Sequence, residues 1–359
     1  MTWHAAEGGP DSGRRLMSRR DAIAASMAAL ALPAAASAQS AADFFAGRTI
    51  KFWVGVAPGG ATDYVARTIA AHLGRHVPGN PVVQPENMPG ASSLVMTNAL
   101  YNKGARDGTV IGISLNGVVL EPKLQLMKGS GQAVLFDTNR INWIGTPSHL
   151  PHVVWVRSDA PVQTFEDLRK TKVVLGAISP GSDSHILPRL MNVTLGTKFE
   201  IIGGYQGVNE IFLAADRGEV QGAIVGIANL TSTKPDWIRD RKIRILLQFA
   251  TERSHELPDV PTALEVAQND EARAMLALYA TKFQVAFPVF TPPDVPRERL
   301  EALRAAFMAT MADPRFLEDA KRGGIDIDPL SGEDVARAVR AIDATPQAVI
   351  ERLRTVIGG

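Results

Sequence analysis

From residue 49 to residue 249 the chain alternates short apolar, β-branched runs with stretches whose apolar residues recur at helical spacing. Strands are read at 49–56, 82–84, 109–115, 172–177, 199–202, 222–225 and 243–249, with further apolar runs at 141–144 and 153–156. Helices are read at 92–100, 165–170, 184–193 and 208–217, and after residue 60, where Val65, Ile69 and Leu73 share a face. Strands joined through crossover helices run in the same direction. The alternation therefore predicts mostly parallel sheets with helices on both faces. Beyond Pro296 the pattern is mostly helical. Leu300, Leu303, Phe307 and Met311 stripe one helix, Ser331 with Asp334 frames a capping box, and Thr345-Pro346 opens the last helix. Such stripes read as core.

The N-terminus reads as a cleavable signal peptide, residues 1–38. Arg19-Arg20 precede an Ala-rich apolar run at 22–32, and Ala36-Ser37-Ala38 fits small-x-small cleavage. The Sec and twin-arginine routes both stay open, as do Met1 and Met17 as starts. Removing this segment takes away four arginines and three acids, which leaves 34 basic and 34 acidic residues. That balance argues against a nucleic-acid partner. There is no Cys, hence no disulfide and no thiolate metal site. A mature length of roughly 320 residues supports two domains.

The most informative single stretch is V-G-V-A-P-G-G-A-T-D-Y-V-A-R, residues 54–67. Ala57, Pro58, Gly59 and Gly60 sit in a strand-to-helix turn. A helix start leaves about four N–H groups without partners and carries partial positive charge. Side-chain-free glycines let an anion, carboxylate as readily as phosphate, approach those groups. The plain alternative is a βα turn in which glycine only permits the backbone angles. Asp63, in the first helical turn, would repel a bound carboxylate and is read as holding the turn.

Three further segments follow in order: P-E-N-M-P-G-A at 85–91, D-G-T-V-I-G at 107–112 and L-P-D-V-P-T-A-L-E at 257–265. With the glycine turn, they resemble the Bug family, the periplasmic solute-binding receptors of tripartite tricarboxylate transporters. The likeness covers nearly all of the mature chain. It departs where the family has E-N-R-P-G-A-G-G and this chain has E-N-M-P-G-A-S-S. The resemblance implies a periplasmic-binding-protein type II-like fold, with two α/β domains around a ligand cleft. Domain 1 would comprise 43–152 plus 283–359, and domain 2 would comprise 153–282. It also implies a non-enzymatic monomer that needs no cofactor or metal. The monomer would capture a small carboxylate and hand it to membrane permease subunits.

The second domain has its own candidate loop, I-S-P-G-S-D-S-H, again between a strand and a helix. Ser179, Ser182 and Ser184 supply hydroxyls, Gly181 permits close approach, and the family places a His where His185 stands. Ser182 and Asp183 are equally ordinary helix caps. The turn G-G-Y-Q-G contains Tyr205, Gln206 and Gly207, and matches the family's Tyr-x-Gly. Gln221 replaces an acid common in the family, and Asn116 is a further first-domain candidate. No G-x-S-x-G, H-E-x-x-H or phosphate-loop motif is present. Two other readings remain, a sensor that presents ligand to a signalling kinase and a periplasmic hydrolase.

Overall fold

The computed structural model describes residues 40–358, so the signal-peptide reading lies outside the described residues. Ser40 caps α1 (Ala41–Phe45), its hydroxyl accepting the Asp43 N–H. In β1 (Thr49–Val54) burial alternates, and Ile50, Phe52 and Val54 are fully buried. Next come α2 (Ala61–Leu73), β2 (Val82–Asn87), α3 (Leu94–Lys103), β3 (Val110–Ile113), α4 (Glu121–Leu124) and β4 (Asn142–Thr146).

The chain then crosses to a second sheet. There it forms β5 (His152–Arg157), α5 (Phe165–Lys170), β6 (Val173–Gly176), α6 (Asp183–Leu195), β7 (Phe199–Ile202) and α7 (Val208–Asp216). β8 (Gly222–Gly226), α8 (Ile227–Thr233), α9 (Pro235–Arg239) and β9 (Ile243–Phe249) complete this half. The return runs through α10 (Asp270–Gln284) into β10 (Val289–Thr291). α11 (Arg297–Met311), α12 (Pro314–Arg322), β11 (Leu330–Ser331), α13 (Gly332–Asp343) and α14 (Gln347–Gly358) follow.

The six-stranded sheet has the order β11-β4-β10-β3-β1-β2, and the five-stranded one β7-β6-β8-β5-β9. The two-domain α/β architecture is as expected, but the expectation of mostly parallel strands needs correcting. Four strand pairs are parallel and five are antiparallel. For four of the five the reason lies in the crossings. β5 and β10 are the strands by which the chain enters each sheet after leaving the other, and both run against their neighbours. The parallel rule holds only where a helix carries the chain back over the same sheet, as in β1–α2–β2 and β6–α6–β7.

Val153–Val156 are wholly buried, which explains an apolar run without alternation. One apolar cluster extends from Leu94 and Val118 through Leu187 and Leu190 to Met275, Tyr279, Ile350 and Leu353. The core is thus continuous between the halves. The helix α10 was not read from sequence. Asn269 caps it by accepting the Ala272 N–H at 2.8 Å, and it packs against α6, α13 and α14.

Candidate ligand-binding site

β1 delivers the chain into the glycine turn, and α2 begins immediately after Gly60. Gly59 adopts φ +94°, a conformation that side-chain-bearing residues rarely take. Its N–H donates to Asp63 Oδ2 at 2.9 Å. Asp63, 3% exposed, also accepts from Arg67 Nε at 2.9 Å and, through Oδ1, from Asn87 Nδ2 at 2.7 Å. Asn87 Nδ2 donates in addition to Val56 O. The Arg67 guanidinium leads the groups that lower the Asp63 pKa to about 2, with Asn87 and Gly59 adding to it against the opposing effect of burial. Asp63 therefore holds the turn, its charge balanced by Arg67 and its oxygens taken by Gly59, Arg67 and Asn87. The N–H groups of Gly60, Ala61 and Thr62 meet no acceptor among the described residues. An added Cβ on Gly60 would touch nothing within 4 Å.

Behind the turn, Gly90 leads into three left-handed residues, Ala91, Ser92 and Ser93, at φ 44°, 51° and 77°. All three carry a side chain in a region that favours glycine, so their backbone is strained. Ser93 is fully buried. Its hydroxyl donates to Gly55 O and accepts from the Leu115 N–H, each at 3.0 Å. It ties the end of β1 to the segment after β3.

Gly59 and Gly60 open onto a cavity of about 530 Å³. Its other walls come from the crossing segment 148–152, the β8–α8 junction at Gly226–Asn229, the segment 254–256 and residues 323–326. Both sheets thus contribute. Among the described residues no Lys or Arg lines it, and its acids are Glu256 and Asp326. The hydroxyl of Ser148, 2% exposed, is buried there without a hydrogen-bond partner among the described residues. The Tyr64 ring lies so close to Gly323 that any Cβ there would collide with it. Burial lowers the His152 pKa, Asp183 opposing the shift. Its Nδ1 lies 3.1 Å from Leu150 O and its ring packs on Phe283 at 4.2 Å between centroids. A neutral ring donating from Nδ1 leaves Nε2 as an acceptor.

The second-domain candidates lie elsewhere, and none lines this cavity. In the loop after β6 the Ser182 and Ser184 hydroxyls are spent on the loop itself. Ser184 Oγ accepts from the Ile178 N–H, and Ser182 Oγ accepts from the Ser179 N–H and donates to Ser179 O. Ser182 Oγ also lies 2.9 Å from Ser184 Oγ. His185 Nδ1 is buried and unpartnered, and burial, then Arg189, lowers the pKa of the ring. The Gly204 N–H donates to Ile178 O, which places the Tyr205 turn beside this loop. Tyr205 packs against Gly176, and burial, then Glu219, raises its pKa. The Gln206 N–H donates to Glu210 Oε2, and Gly207 precedes α7 as its N-cap. Gln221 Oε1 accepts from the Val174 N–H while its backbone pairs with Val174 and Arg157, so it braces the sheet. Asn116 and Gly181 line a second cavity, of about 750 Å³.

Asp183 is not the helix cap. Ser182 occupies that position, and Asp183 pairs instead with Tyr279 Oη and Lys282 Nζ of α10, each at 2.8 Å. Burial alone would raise the Asp183 pKa, but Lys282 and His152 hold it below the usual carboxylate range. Burial, then Asp183, pushes the Tyr279 phenol well above its ordinary value. This group separates the cavities, with His152 lining the first and Tyr279 and Lys282 the second.

Four parts of the first cavity escaped sequence reading: Ser148, the β8–α8 junction, 254–256 and 323–326. The junction has no loop to announce it, since Gly226 ends the strand and caps the helix. The Gly323-Gly324 pair after α12 was the one available signal.

The chain is 26% identical over 348 residues to the UPF0065 protein in gbd 5′region of Cupriavidus necator, covering 95% of this chain and 98% of that one. Its fold is similar to that of a ligand-free TctC solute binding protein from Polaromonas (TM-score 0.66, 19% identity, 85% of this chain and 99% of that one). It is also similar to that of Rhodopseudomonas palustris Rpa4515 with adipate (TM-score 0.55, 21% identity, 87% and 98%). The family described as tripartite tricarboxylate transporter family receptor matches residues 65–354, and the chain belongs to that family.

Proposed function

We propose that the protein is a periplasmic receptor that binds a small carboxylate beside Gly59 and Gly60 and delivers it to the permease of a tripartite tricarboxylate transporter. The observation that carries this reading is the open start of α2. Gly59, Gly60 and Ala61 line a cavity bordered by both sheets, and the chain's own Asp63 is engaged by Gly59, Arg67 and Asn87. A 13-residue helix provides a dipole suited to a carboxylate. The unpartnered Ser148 hydroxyl supplies a second donor in the same cavity. Rpa4515, whose fold is similar, is described with a dicarboxylate, adipate.

Ala57 and Pro58 shape the approach to the turn, and His152 and Asn229 face the ligand from the opposite wall. Ser182, Ser184 and Gln221 act as structural braces. The domains are 43–152 plus 283–359 and 153–282, and export removes residues 1–38. Mass spectrometry of a periplasmic fraction then finds a mature form that starts at Gln39. Intact protein confined to the cytoplasm rules that out.

Calorimetry with adipate and its dimethyl ester tests the binding claim. Adipate binds and is recovered unchanged, the ester does not bind, and Gly60→Val weakens adipate about a hundredfold, from lost charge-assisted hydrogen bonds. Since a Cβ at Gly60 meets open space, the variant folds normally. Undiminished adipate binding by folded Gly60→Val would refute the site.

A further inference from the structure

The second cavity differs from the first in charge and in surface. Leu94, Leu124, Ile186 and Ile357 give it apolar walls drawn from both halves of the chain. Three cations line it: Lys128, Lys282 and Arg354. Arg354 directs Nε and Nη2 at Lys123 O and has no carboxylate partner among the described residues. Lys282 is 8% exposed and its ammonium carries three donors, of which Asp183 and Tyr279 take two. Among the described residues the sole acid lining the cavity is Glu121, 3% exposed, which accepts the Met127 N–H. Burial pushes that carboxyl toward its neutral form. The first cavity has the opposite character, with two acids and no Lys or Arg.

We propose that this second cavity is a separate binding site for an amphipathic monocarboxylate, a medium-chain or arylalkanoic acid. The carboxylate lies toward Arg354 and Lys282, and the tail lies among the leucine and isoleucine side chains. A single charge suits it. A second carboxylate would fall on the apolar wall and lose its hydration without a partner. A tail seated there touches Leu94 on one half and Ile186 on the other, so occupancy favours the arrangement in which the halves meet.

Octanoate is the probe, titrated calorimetrically into the full chain with and without saturating adipate, beside 1-octanol as the uncharged control. Octanoate binds one site, its affinity changes less than twofold when adipate is present, and octanol binds at least tenfold more weakly. Arg354→Met weakens octanoate at least tenfold, Arg354→Lys recovers most of the loss, and adipate affinity stays unchanged in both. Circular dichroism shows that both variants are folded. Should Arg354→Met not fold, the octanol comparison and Arg354→Lys carry the test. Absence of octanoate binding overturns the proposal. So does competition between octanoate and adipate, equal binding of octanoate and octanol, or loss of octanoate binding on Gly60→Val with Arg354→Met silent.

Discussion

The turn after β1 and the loop after β6 are built from the same sequence grammar. Each follows a parallel strand, each is rich in small residues, and each precedes a 13-residue helix with an Asp in its first turn. Their fates differ. After β1 there is no hydroxyl between Gly55 and Ala61, and the one nearby carboxylate, Asp63, takes the Gly59 N–H together with Arg67 and Asn87, which leaves the N–H groups of Gly60, Ala61 and Thr62 without an acceptor among the described residues. After β6, the Ser182 and Ser184 hydroxyls accept from the Ser179 and Ile178 N–H groups of the loop, and Asp183 is held by Lys282 and Tyr279 from another helix. A helix start becomes available to a ligand when the surrounding side chains are either absent or engaged elsewhere. Glycine content alone does not decide it.

The largest expected effect lies in the closed loop. Lys282→Met leaves the mostly buried Asp183 carboxylate without its ion partner and lowers the unfolding free energy by about 3 kcal/mol, while adipate affinity holds. Asp183→Asn in the same chain restores part of the loss, as a double-mutant cycle by urea unfolding would record. A loss confined to adipate binding would mean that this loop serves the ligand after all.

In the open turn, Asp63→Asn costs about 2 kcal/mol, because the convergent donors lose their charged acceptor. Asp63 has a folded pKa of about 2 against an ordinary 3.8. Its contribution is complete above 3.8 and is lost as pH falls through 2. Acid titration of Asp63→Asn is therefore flatter than that of the parent between those values. Equal slopes would exclude Asp63 as the holder of the turn. Ser93→Ala removes two hydrogen bonds but keeps the left-handed strain, for a loss of about 1 kcal/mol. A neutral Ser93→Ala would show that β1 and the segment after β3 need no tie.

The smallest effect concerns His152. Its folded pKa lies below the ordinary 6.5, so the unfolded chain binds more protons as pH falls past 6.5, and stability declines there. His152→Gln removes that part of the slope in urea midpoints measured from pH 7.5 downward. An unchanged slope would assign it to other groups.

Much of the fold was legible because strands and helices announce themselves by period. β7 and β9 were read to the residue, and the caps at Thr164 and Ser331 were visible as short-range patterns. Strand direction was not legible, since it depends on where β5 and β10 enter their sheets. The four motifs turn out to be mostly scaffold. Asn87 pins the glycine turn, Asp107 closes its own turn on Thr109, and the Gln248 side chain holds Leu257 O and Val260 O. The open turn was legible from residues next to one another. The closure of the second loop was not, because Lys282 and Tyr279 stand about a hundred positions from Asp183, on a helix that was not read.

The most direct test is a set of amide spectra of protein labelled with 15N at glycine, alanine and serine, recorded as adipate is added. Large downfield shifts at Gly60 and Ala61, with Ser179, Gly181, Ser182 and Ser184 stationary, are what an open first turn and a closed second loop predict. Shifts confined to residues 179–184, with Gly60 and Ala61 unmoved, would contradict it.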